Sequence, residues 1–232
     1  MQSDYTIKTI ARIYNDFPQK FGIPRQSNLV TSLKAKIIFE PEFRNSDALR
    51  GLNDYSHIWL IWGFSENIRE SWSPSVRPPR LGGNTRLGVF ATRSPFRPNP
   101  IGLSSVRLEH IEMHSEYGPI LYVSGADLMN HTPIFDIKPY LTFTDSHPDA
   151  SNGFAGPVKD FTLNVECPPH LMAQIPEIHR QTVIDLLAQN PRPTYQNDPD
   201  RIYGFSFAGM EIRFKINGNT LSICDIEKSN KR

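Results

Sequence analysis

Short apolar runs follow one another along the first 140 residues, and no long helical pattern separates them. In residues 33–39 the apolar side chains alternate with Lys34 and Lys36, which is typical of a strand with one buried face. Residues 57–64 are mostly apolar, which predicts a central strand covered on both faces. Six or seven strands without helical crossovers predict an antiparallel or mixed β-barrel rather than a doubly wound sheet. The other predicted strands are residues 5–13, 85–90, 103–111, 120–126 and one within 127–140.

A second unit follows a stretch that is rich in Asp, Ser, Pro and Gly. This composition, in residues 142–169, predicts a linker with one strand at 161–165. Apolar residues then recur at helical spacing over residues 171–189, which predicts an amphipathic helix. Three short alternating runs complete the unit, at residues 203–207, 212–216 and 221–223.

The sequence therefore predicts a mainly β protein with two unequal domains. A β-barrel domain occupies residues 1–145, a linker residues 146–168, and a small α+β domain residues 169–232. With 232 residues, 20 of them proline, and 11% aromatics, the chain is expected to bury a full core and connect its strands by stiff loops.

The two cysteines and the absence of long apolar segments indicate the compartment. Cys167 and Cys224 lie far apart and form no metal-binding pattern, so we expect reduced thiols and no metal. Residues 1–13 contain no basic region followed by an apolar run, so we expect no signal peptide, and no apolar run approaches the roughly 20 residues of a membrane span. We therefore expect a cytoplasmic protein that does not enter a membrane.

Residues 88–106, GVFATRSPFRPNPIGLSSV, predict a rigid loop between two strands. Pro95, Pro98 and Pro100 fix φ and withhold backbone donors, so strand pairing stops there. The prolines also lower the entropy of the unfolded loop, so its polar side chains are held in place before a ligand binds. Those side chains are Arg93, Arg97 and Asn99.

Arginines are concentrated around this proline loop. Between residues 71 and 108 the chain carries six arginines and no lysine, aspartate or glutamate. The planar guanidinium suits phosphate and carboxylate groups, so this arginine patch favours an anionic ligand or a nucleic acid. A solvated arginine-rich loop explains the charge pattern equally well. The patch consists of Arg77, Arg80, Arg86, Arg93, Arg97 and Arg107.

Motifs that the sequence lacks exclude several common enzyme classes. It contains no G-x-G-x-x-G of a Rossmann fold, no P-loop, no H-E-x-x-H and no G-x-S-x-G. The features left to carry chemistry are the proline loop, the arginine patch and the run DIKPY at residues 136–140.

Together with other segments, these features resemble the TrmO family, also described as YaeB or TsaA-like. The longest matching segment is FATRSPFRPNPIGLS at residues 90–104, which is far more specific than a short motif. The resemblance extends over nearly the whole chain. The other segments are GIPRQ at 22–26, RPPRLGGN at 77–84, SGADL at 124–128, DIKPY at 136–140 and AQNPRP at 188–193.

The resemblance implies an S-adenosylmethionine-dependent tRNA methyltransferase that has a β-barrel fold and acts as a homodimer. The substrate it implies is N6-threonylcarbamoyladenosine beside the anticodon of tRNA, which gains a methyl group on N6. By position, the resemblance also implies a set of cofactor-binding residues. These are Pro24, Arg25, Gln26, Ser65, Glu66, Arg93, Leu103, Asn130, His131, Thr132 and Pro133.

Two of these segments depart from the family's pattern. Where relatives have histidine and a polar residue after the aromatic strand, this chain has Ser65 and Glu66. Where relatives have Asp-Gly-Thr-Pro, it has Asn-His-Thr-Pro at residues 130–133. Backbone contacts to the cofactor would survive these differences, whereas side-chain contacts would change its geometry or affinity.

Candidate catalytic residues follow from the chemistry of the implied acceptor. Its N6 is conjugated to the purine ring and to a carbonyl, so it is poorly nucleophilic and the loss of its proton helps the reaction. Asp136 or Tyr140 is our hypothetical base, and Lys138 is the group expected to stabilise the developing anion. The alternative for Asp136 is a turn carboxylate paired with Lys138.

The anticodon loop is single-stranded, so a base can be displaced there without breaking a duplex. The proline loop and the arginine patch supply the expected tRNA contacts, namely Arg77, Arg80, Arg97 and Asn99. Two other functions stay open at this point. One is a non-catalytic RNA-binding barrel, and the other is an S-adenosylmethionine-dependent methyltransferase of a small anionic substrate.

Overall fold

The computed structural model describes residues 5–67, 71–78, 81, 85–158, 162–192, 196 and 198–229. Within these residues the strands form a closed six-stranded barrel, a four-stranded sheet and a two-stranded ribbon. The predicted fold class, a mainly β protein with a barrel and a small α+β unit, is confirmed.

Six of the eight strands in the first 140 residues form the barrel. Its order is β1-β2-β7-β6-β3-β8, with every neighbouring pair antiparallel, while β4 and β5 form the separate ribbon. In chain order the strands are β1 (Ala11–Tyr14), β2 (Lys34–Phe39), β3 (His57–Gly63), β4 (Ser75–Val76), β5 (Leu87–Gly88), β6 (Ile101–His114), β7 (Gly118–Ser124) and β8 (Pro133–Pro139).

Alternating apolar side chains fill the barrel. On β2 the side chains of Ala35, Ile37 and Phe39 are buried, as the period of two predicts. On β3 the side chains of Ile58 and Leu60 have no exposed surface. Each such side chain contributes about 1.5–3 kcal/mol relative to an exposed one, so burial on one face holds the strands in register.

The structure corrects some predicted strand boundaries. The first strand begins at Ala11 rather than at residue 5. Only β5 forms in the predicted strand 85–90. The N–H of Val89 still bonds the carbonyl of Pro74 in register with the β4–β5 ribbon, and the chain then turns into a 3-10 helix at Val89–Ala91. Further 3-10 turns lie between β2 and β3, at Ser46–Leu49 and Leu52–Asp54.

The C-terminal unit is a sheet of order β10-β11-β12-β9 with a helix beside it. Its strands are β9 (Asn164–Glu166), β10 (Tyr203–Phe207), β11 (Met210–Asn217) and β12 (Thr220–Lys228). The helices are α1 (Thr142–Asp145), α2 (Pro169–Met172) and α3 (Glu177–Ala188). Within the described part of the chain, no helix has the length and apolar character to cross a membrane.

The single helix predicted over residues 171–189 is two helices. Pro176 precedes the first residue of α3 and is extended, so the chain breaks between α2 and α3. On α3 the side chains of Val183 and Leu186 are buried against the sheet, whereas Ile178 is 82% exposed. The predicted linker 142–169 also contains α1 and a 3-10 helix at Gly153–Val158.

The buried cluster of the C-terminal unit includes residues from far earlier in the chain. Phe17, Val30 and Leu33, all between β1 and the start of β2, are buried with the side chains of α3 and the four-stranded sheet. The β1–β2 connection, residues 15–33, therefore links the barrel to the C-terminal core.

Two truncations on α3 test its orientation. Leu186→Ala leaves a cavity in the C-terminal core, so we expect it to lower the free energy of unfolding by about 2–5 kcal/mol. Ile178→Ala on the same helix removes an exposed side chain, with an expected change within about 0.5 kcal/mol. Urea unfolding measures both, and equal losses would contradict the observed orientation of α3.

Candidate active site

A cavity of about 510 Å³ opens where β3 ends and β6 begins. Its walls come from these strand ends, the proline loop, the β1–β2 connection and the segment after β7. The volume lies within the roughly 300–1,000 Å³ of small-molecule and cofactor sites. The lining residues that enter the arguments below are Lys20, Arg25, Gln26, Trp59, Trp62, Phe64, Glu66, Arg93, Arg97, Leu103 and Asp127.

A buried polar chain forms one wall. Trp62 Nε1 donates to Ser104 Oγ at 3.0 Å, and Ser104 Oγ donates to Asp127 Oδ1 at 2.6 Å. Gly102 lets the Trp62 ring lie against the backbone, because a Cβ there would be 2.3 Å from the ring. Asp127 is thus held in one orientation at the cavity.

The environment of Asp127 changes its acidity. Burial raises the pKa of this carboxyl above its ordinary value, although the hydrogen bond from Ser104 and the charge of Arg93 act in the opposite direction. Burial disfavours the charged form of any carboxyl group. A carboxyl group with a raised pKa beside a cavity is typical of functional sites.

The proline loop is fixed by bonds to its own backbone. Arg97 Nη1 donates to the carbonyl oxygens of Thr92 and Ser94 at 3.1 and 3.3 Å. Arg93 Nη1 donates to Gln26 Oε1, so the proline loop and the β1–β2 connection meet at the edge of the cavity. The fixed loop presents two guanidinium groups to the cavity.

Two further cations line the cavity from the β1–β2 connection. Lys20 Nζ donates to the carbonyl oxygen of Glu66 at 2.8 Å. Arg25 Nη2 lies 3.3 and 3.4 Å from the carbonyl oxygens of Asn190 and Arg192. The cavity therefore combines cations, two carboxylates and the aromatic side chains at the end of β3, a mixture that suits a ligand with both charged and apolar parts.

Comparison with protein families identifies the chain. The model of the tRNA-methyltransferase O N-terminal domain matches residues 12–146, and the TrmO C-terminal domain matches residues 161–229. The chain belongs to the TrmO family. The family that the sequence motifs suggested is thereby confirmed.

Curated relatives match most of the chain. The tRNA (adenine(37)-N6)-methyltransferase of Escherichia coli K12 is 36% identical over 222 residues, which cover 92% of this chain and 94% of the relative. The protein of the same name from Eikenella corrodens is 47% identical over 163 residues, 70% of this chain and 91% of the relative.

A solved structure has the same fold. The crystal structure of TrmO from Pseudomonas aeruginosa superposes with a TM-score of 0.80 at 31% identity, and the match covers 99% of both chains. The likeness thus includes the barrel and the C-terminal unit together.

Most residues that the TrmO resemblance implied for the cofactor lie around one cavity. Asn130, His131 and Pro133 do not line it, whereas Thr132 from the same segment does. The residues at the cavity are Pro24, Arg25, Gln26, Ser65, Glu66, Arg93, Leu103 and Thr132.

The segment that departs from the Asp-Gly-Thr-Pro pattern has a structural constraint. His131 has φ of +63°, in the left-handed region that favours glycine. Its N–H bonds the carbonyl of Ile13, and its ring packs edge-on against Tyr14 at 4.8 Å. The Oδ1 atom of Asn130 accepts from the N–H of Asn15 at 3.1 Å, so both side chains support the end of β1.

The three predicted catalytic residues lie on or just after β8, outside the cavity. Lys138 Nζ and Asp136 Oδ2 form an exposed ion pair at 2.9 Å. Tyr140 packs against Trp59, with ring centroids 5.4 Å apart, and Trp59 does line the cavity. The structure therefore separates Asp136 and Lys138 from the predicted cofactor residues.

The predicted tRNA contacts do not all lie at the cavity. Arg97 lines the cavity, and Asn99 is exposed in the proline loop beside it. Arg77 is exposed after β4. Arg80 lies outside the described residues.

Sequence patterns did not single out Asp127, Ser104 or Trp62. Asp127 belongs to the SGADL segment that carried the family resemblance, and an acid after an apolar strand was the available signal. In the sequence, Ser104 and Trp62 look like ordinary strand residues. The pairing of Trp62 with Gly102 across β3 and β6 brings them together, and this pairing is evident only in the structure.

The raised pKa of Asp127 predicts a pH dependence of stability. From the ordinary value of 3.8 up to the raised value, the native protein binds the proton more tightly than the unfolded chain, so the contribution of Asp127 to stability falls as the pH rises. We expect Asp127→Asn to gain stability relative to the parent across this window and then level off, as measured by urea unfolding from about pH 4 upwards.

Asp145→Asn is the control with the opposite sign. The N–H of Leu141 and the indole of Trp59 bond Asp145 and lower its pKa, so its stabilising contribution is present at neutral pH and is lost as the pH falls. We expect this variant to be destabilised at neutral pH and to approach the parent in acid. The same trend in both variants would contradict the assigned directions.

Proposed function

We propose that the cavity between β3, β6 and the β1–β2 connection binds S-adenosylmethionine, and that adenosine 37 of tRNA reaches the methyl group at its mouth. One observation carries this proposal. Eight of the eleven residues that the TrmO family pattern assigns to the cofactor, although dispersed from Pro24 to Thr132 in sequence, line this single cavity.

The reaction follows from family membership. The chain is an S-adenosylmethionine-dependent tRNA methyltransferase, because its relatives over nearly its whole length are tRNA (adenine(37)-N6)-methyltransferases. The acceptor is N6 of N6-threonylcarbamoyladenosine at position 37, next to the anticodon. The non-catalytic RNA-binding barrel and the methyltransferase of a small anionic substrate are the less favoured alternatives.

The polar and apolar parts of the cavity fit the parts of the cofactor. Arg93 or Arg25 suits its carboxylate, Glu66 suits its ammonium group, and the apolar wall of Trp62 and Phe64 suits its adenine. The bound cofactor supplies an electrophilic methyl group. The protein's main contribution is alignment, which the proline loop provides because its arginines and backbone are already fixed.

Asp127 is the cavity's candidate proton acceptor for N6. It is partly buried and held by Ser104, and its raised pKa makes the ionised carboxylate a stronger proton acceptor than an ordinary aspartate. Asp136 and Tyr140, the alternative bases suggested by the sequence, stay predictions, and a paired variant tests Asp136.

We further propose a homodimer that acts in the cytoplasm, with a catalytic barrel at residues 1–145, a linker at 146–168 and a C-terminal domain at 169–232. The family resemblance supports the dimer and the location. Two separate hydrophobic clusters support two domains, although the β1–β2 connection and β9, which lies within the stated linker, pack with the C-terminal cluster. The anticodon loop then contacts Arg97 and Asn99 at the mouth, with Arg77 and Arg80 as additional cations for its phosphates.

The central test uses labelled S-adenosylmethionine and bulk tRNA from a strain that lacks this gene. We expect label in methylated threonylcarbamoyladenosine, and none with tRNA that never received the threonylcarbamoyl group. Nucleoside mass analysis identifies the product. Label on another acceptor, or cofactor binding without any transfer to tRNA, would contradict the assignment.

Two isosteric variants separate the candidate bases. Asp127→Asn keeps the shape and an acceptor for Ser104 but cannot take a proton, so we expect kcat to fall about 10²–10⁴-fold with little change in cofactor affinity. Asp136→Asn only breaks an exposed ion pair and is expected to keep kcat within a few-fold. Single-turnover kinetics at saturating tRNA measure both, and the reverse ranking would restore Asp136 as the base.

A further inference from the structure

The β1–β2 connection carries three of the proposed cofactor residues, yet much of it packs on the C-terminal unit rather than on the barrel. Phe17, Val30 and Leu33 are buried in the C-terminal cluster, and Phe21 and Ile23 pack against it. Pro24, Arg25 and Gln26 lie between these apolar anchors in sequence. The proposed cofactor-binding turn, residues 24–26, is therefore anchored to the C-terminal core on both sides.

Hydrogen bonds reinforce this packing along the whole connection. At its start the N–H of Ala208 donates to the carbonyl of Asp16 at 3.2 Å, and near its end Ser32 Oγ donates to Asp185 on α3 at 2.9 Å. Gln19 Nε2 lies 3.3 Å from Ser206 Oγ on β10.

At the centre of the connection, Arg25 contacts the segment that follows α3. Its Nη2 lies within hydrogen-bond distance of the carbonyl oxygens of Asn190 and Arg192, which follow α3. Asn190 has φ of +54° and is 8% exposed, so the left-handed turn that ends α3 directs this carbonyl. A guanidinium held in this way keeps a fixed position at the cavity wall.

One glycine shows how closely the two parts fit. Gly22 has φ of +92°, and a Cβ there would lie 2.6 Å from the ring of Phe205 on β10. Gly51 has a similar φ of +84°, but a Cβ there would meet nothing within 4 Å. These two glycines share the backbone constraint and differ in the contact, so they form a matched pair.

We propose that the C-terminal unit is a positioning element of the S-adenosylmethionine site, acting through the carbonyls of Asn190 and Arg192 on Arg25 and through Phe205 on the turn at Gly22. This inference rests on the proposed placement of the cofactor in the cavity. Contacts outside the cavity then set cofactor affinity. By reciprocity, cofactor binding tightens the contact between the β1–β2 connection and the C-terminal unit.

The first test changes the contacts without changing a cavity residue. Gly22→Ala pushes the connection away from Phe205, and Asn190→Val disfavours the left-handed turn that directs its carbonyl. We expect each to raise the dissociation constant of S-adenosylmethionine, measured by calorimetry, about tenfold, comparable to the loss of one hydrogen bond to a charged group. KM for the cofactor is expected to rise likewise, with kcat at saturation unchanged.

Matched variants control for backbone strain and folding. Gly51→Ala carries a similar left-handed penalty and is expected to bind the cofactor as the parent does. Asn190→Gly keeps the turn and is expected to restore affinity relative to Asn190→Val. Circular dichroism melts establish that each variant is folded. Unchanged affinity in folded Gly22→Ala and Asn190→Val would overturn the proposal.

A measurement on the unaltered protein does not depend on any variant. The N–H of Ala208, bonded to the carbonyl of Asp16, is expected to exchange with deuterium more slowly when S-adenosylmethionine is present. Unchanged exchange with saturating cofactor would contradict the coupling.

Arg93→Ala distinguishes this inference from the placement of the cofactor. Arg93 lines the cavity from the proline loop, so its loss is expected to weaken cofactor binding wherever the C-terminal unit acts. Weak binding in Arg93→Ala with normal binding in Gly22→Ala and Asn190→Val would overturn the positioning role alone. Normal binding in Arg93→Ala as well would place the cofactor elsewhere.

Discussion

Closure of the barrel through the short β1–β8 pair is the constraint on which the site depends. Ala11 pairs with Ile134 and Arg12 with Pro133, so the barrel sheet keeps no open edge. Closure also fixes the β3–β6 pair, in which Gly63 lies opposite Ile101. The residues that follow β3 and the proline loop that precedes β6 must then lie together at the opening of the cavity.

That mouth brings a carboxylate and several cations close together where water is partly excluded. Electrostatic interactions are stronger in such surroundings than in bulk water, and the cost of burying Asp127 is offset in part by the hydrogen bond from Ser104, by backbone hydrogen bonds and by the charge of Arg93. The position of Asp127 follows from the pairing of β3 with β6 and from the segment after β7, to which Asp127 belongs. A side chain supported in this way is pre-oriented, which suits the catalytic role proposed for Asp127 in a methyl transfer that depends on alignment.

Much of the barrel was predictable because a strand with one buried face imposes a period of two on its sequence. The alternation in β2 and the apolar run of β3 therefore located two strands within one or two residues. The strand at 85–90 and the uninterrupted helix at 171–189 were wrong. A 3-10 helix at Val89–Ala91 ends the first, and the extended conformation of Pro176 interrupts the second.

The sequence by itself determined the barrel class, the rigid proline loop, the family and eight cofactor candidates that line the cavity. Each depends on local periodicity or on an uninterrupted motif. Only the tertiary structure decided that Asp127 lines this cavity while Asp136 does not. It also decided that the guanidinium of Arg25 contacts the carbonyl of Asn190 in the turn after α3. These relations join residues up to 165 positions apart, and the physical reason is that strand register and core burial, not sequence distance, decide which side chains meet.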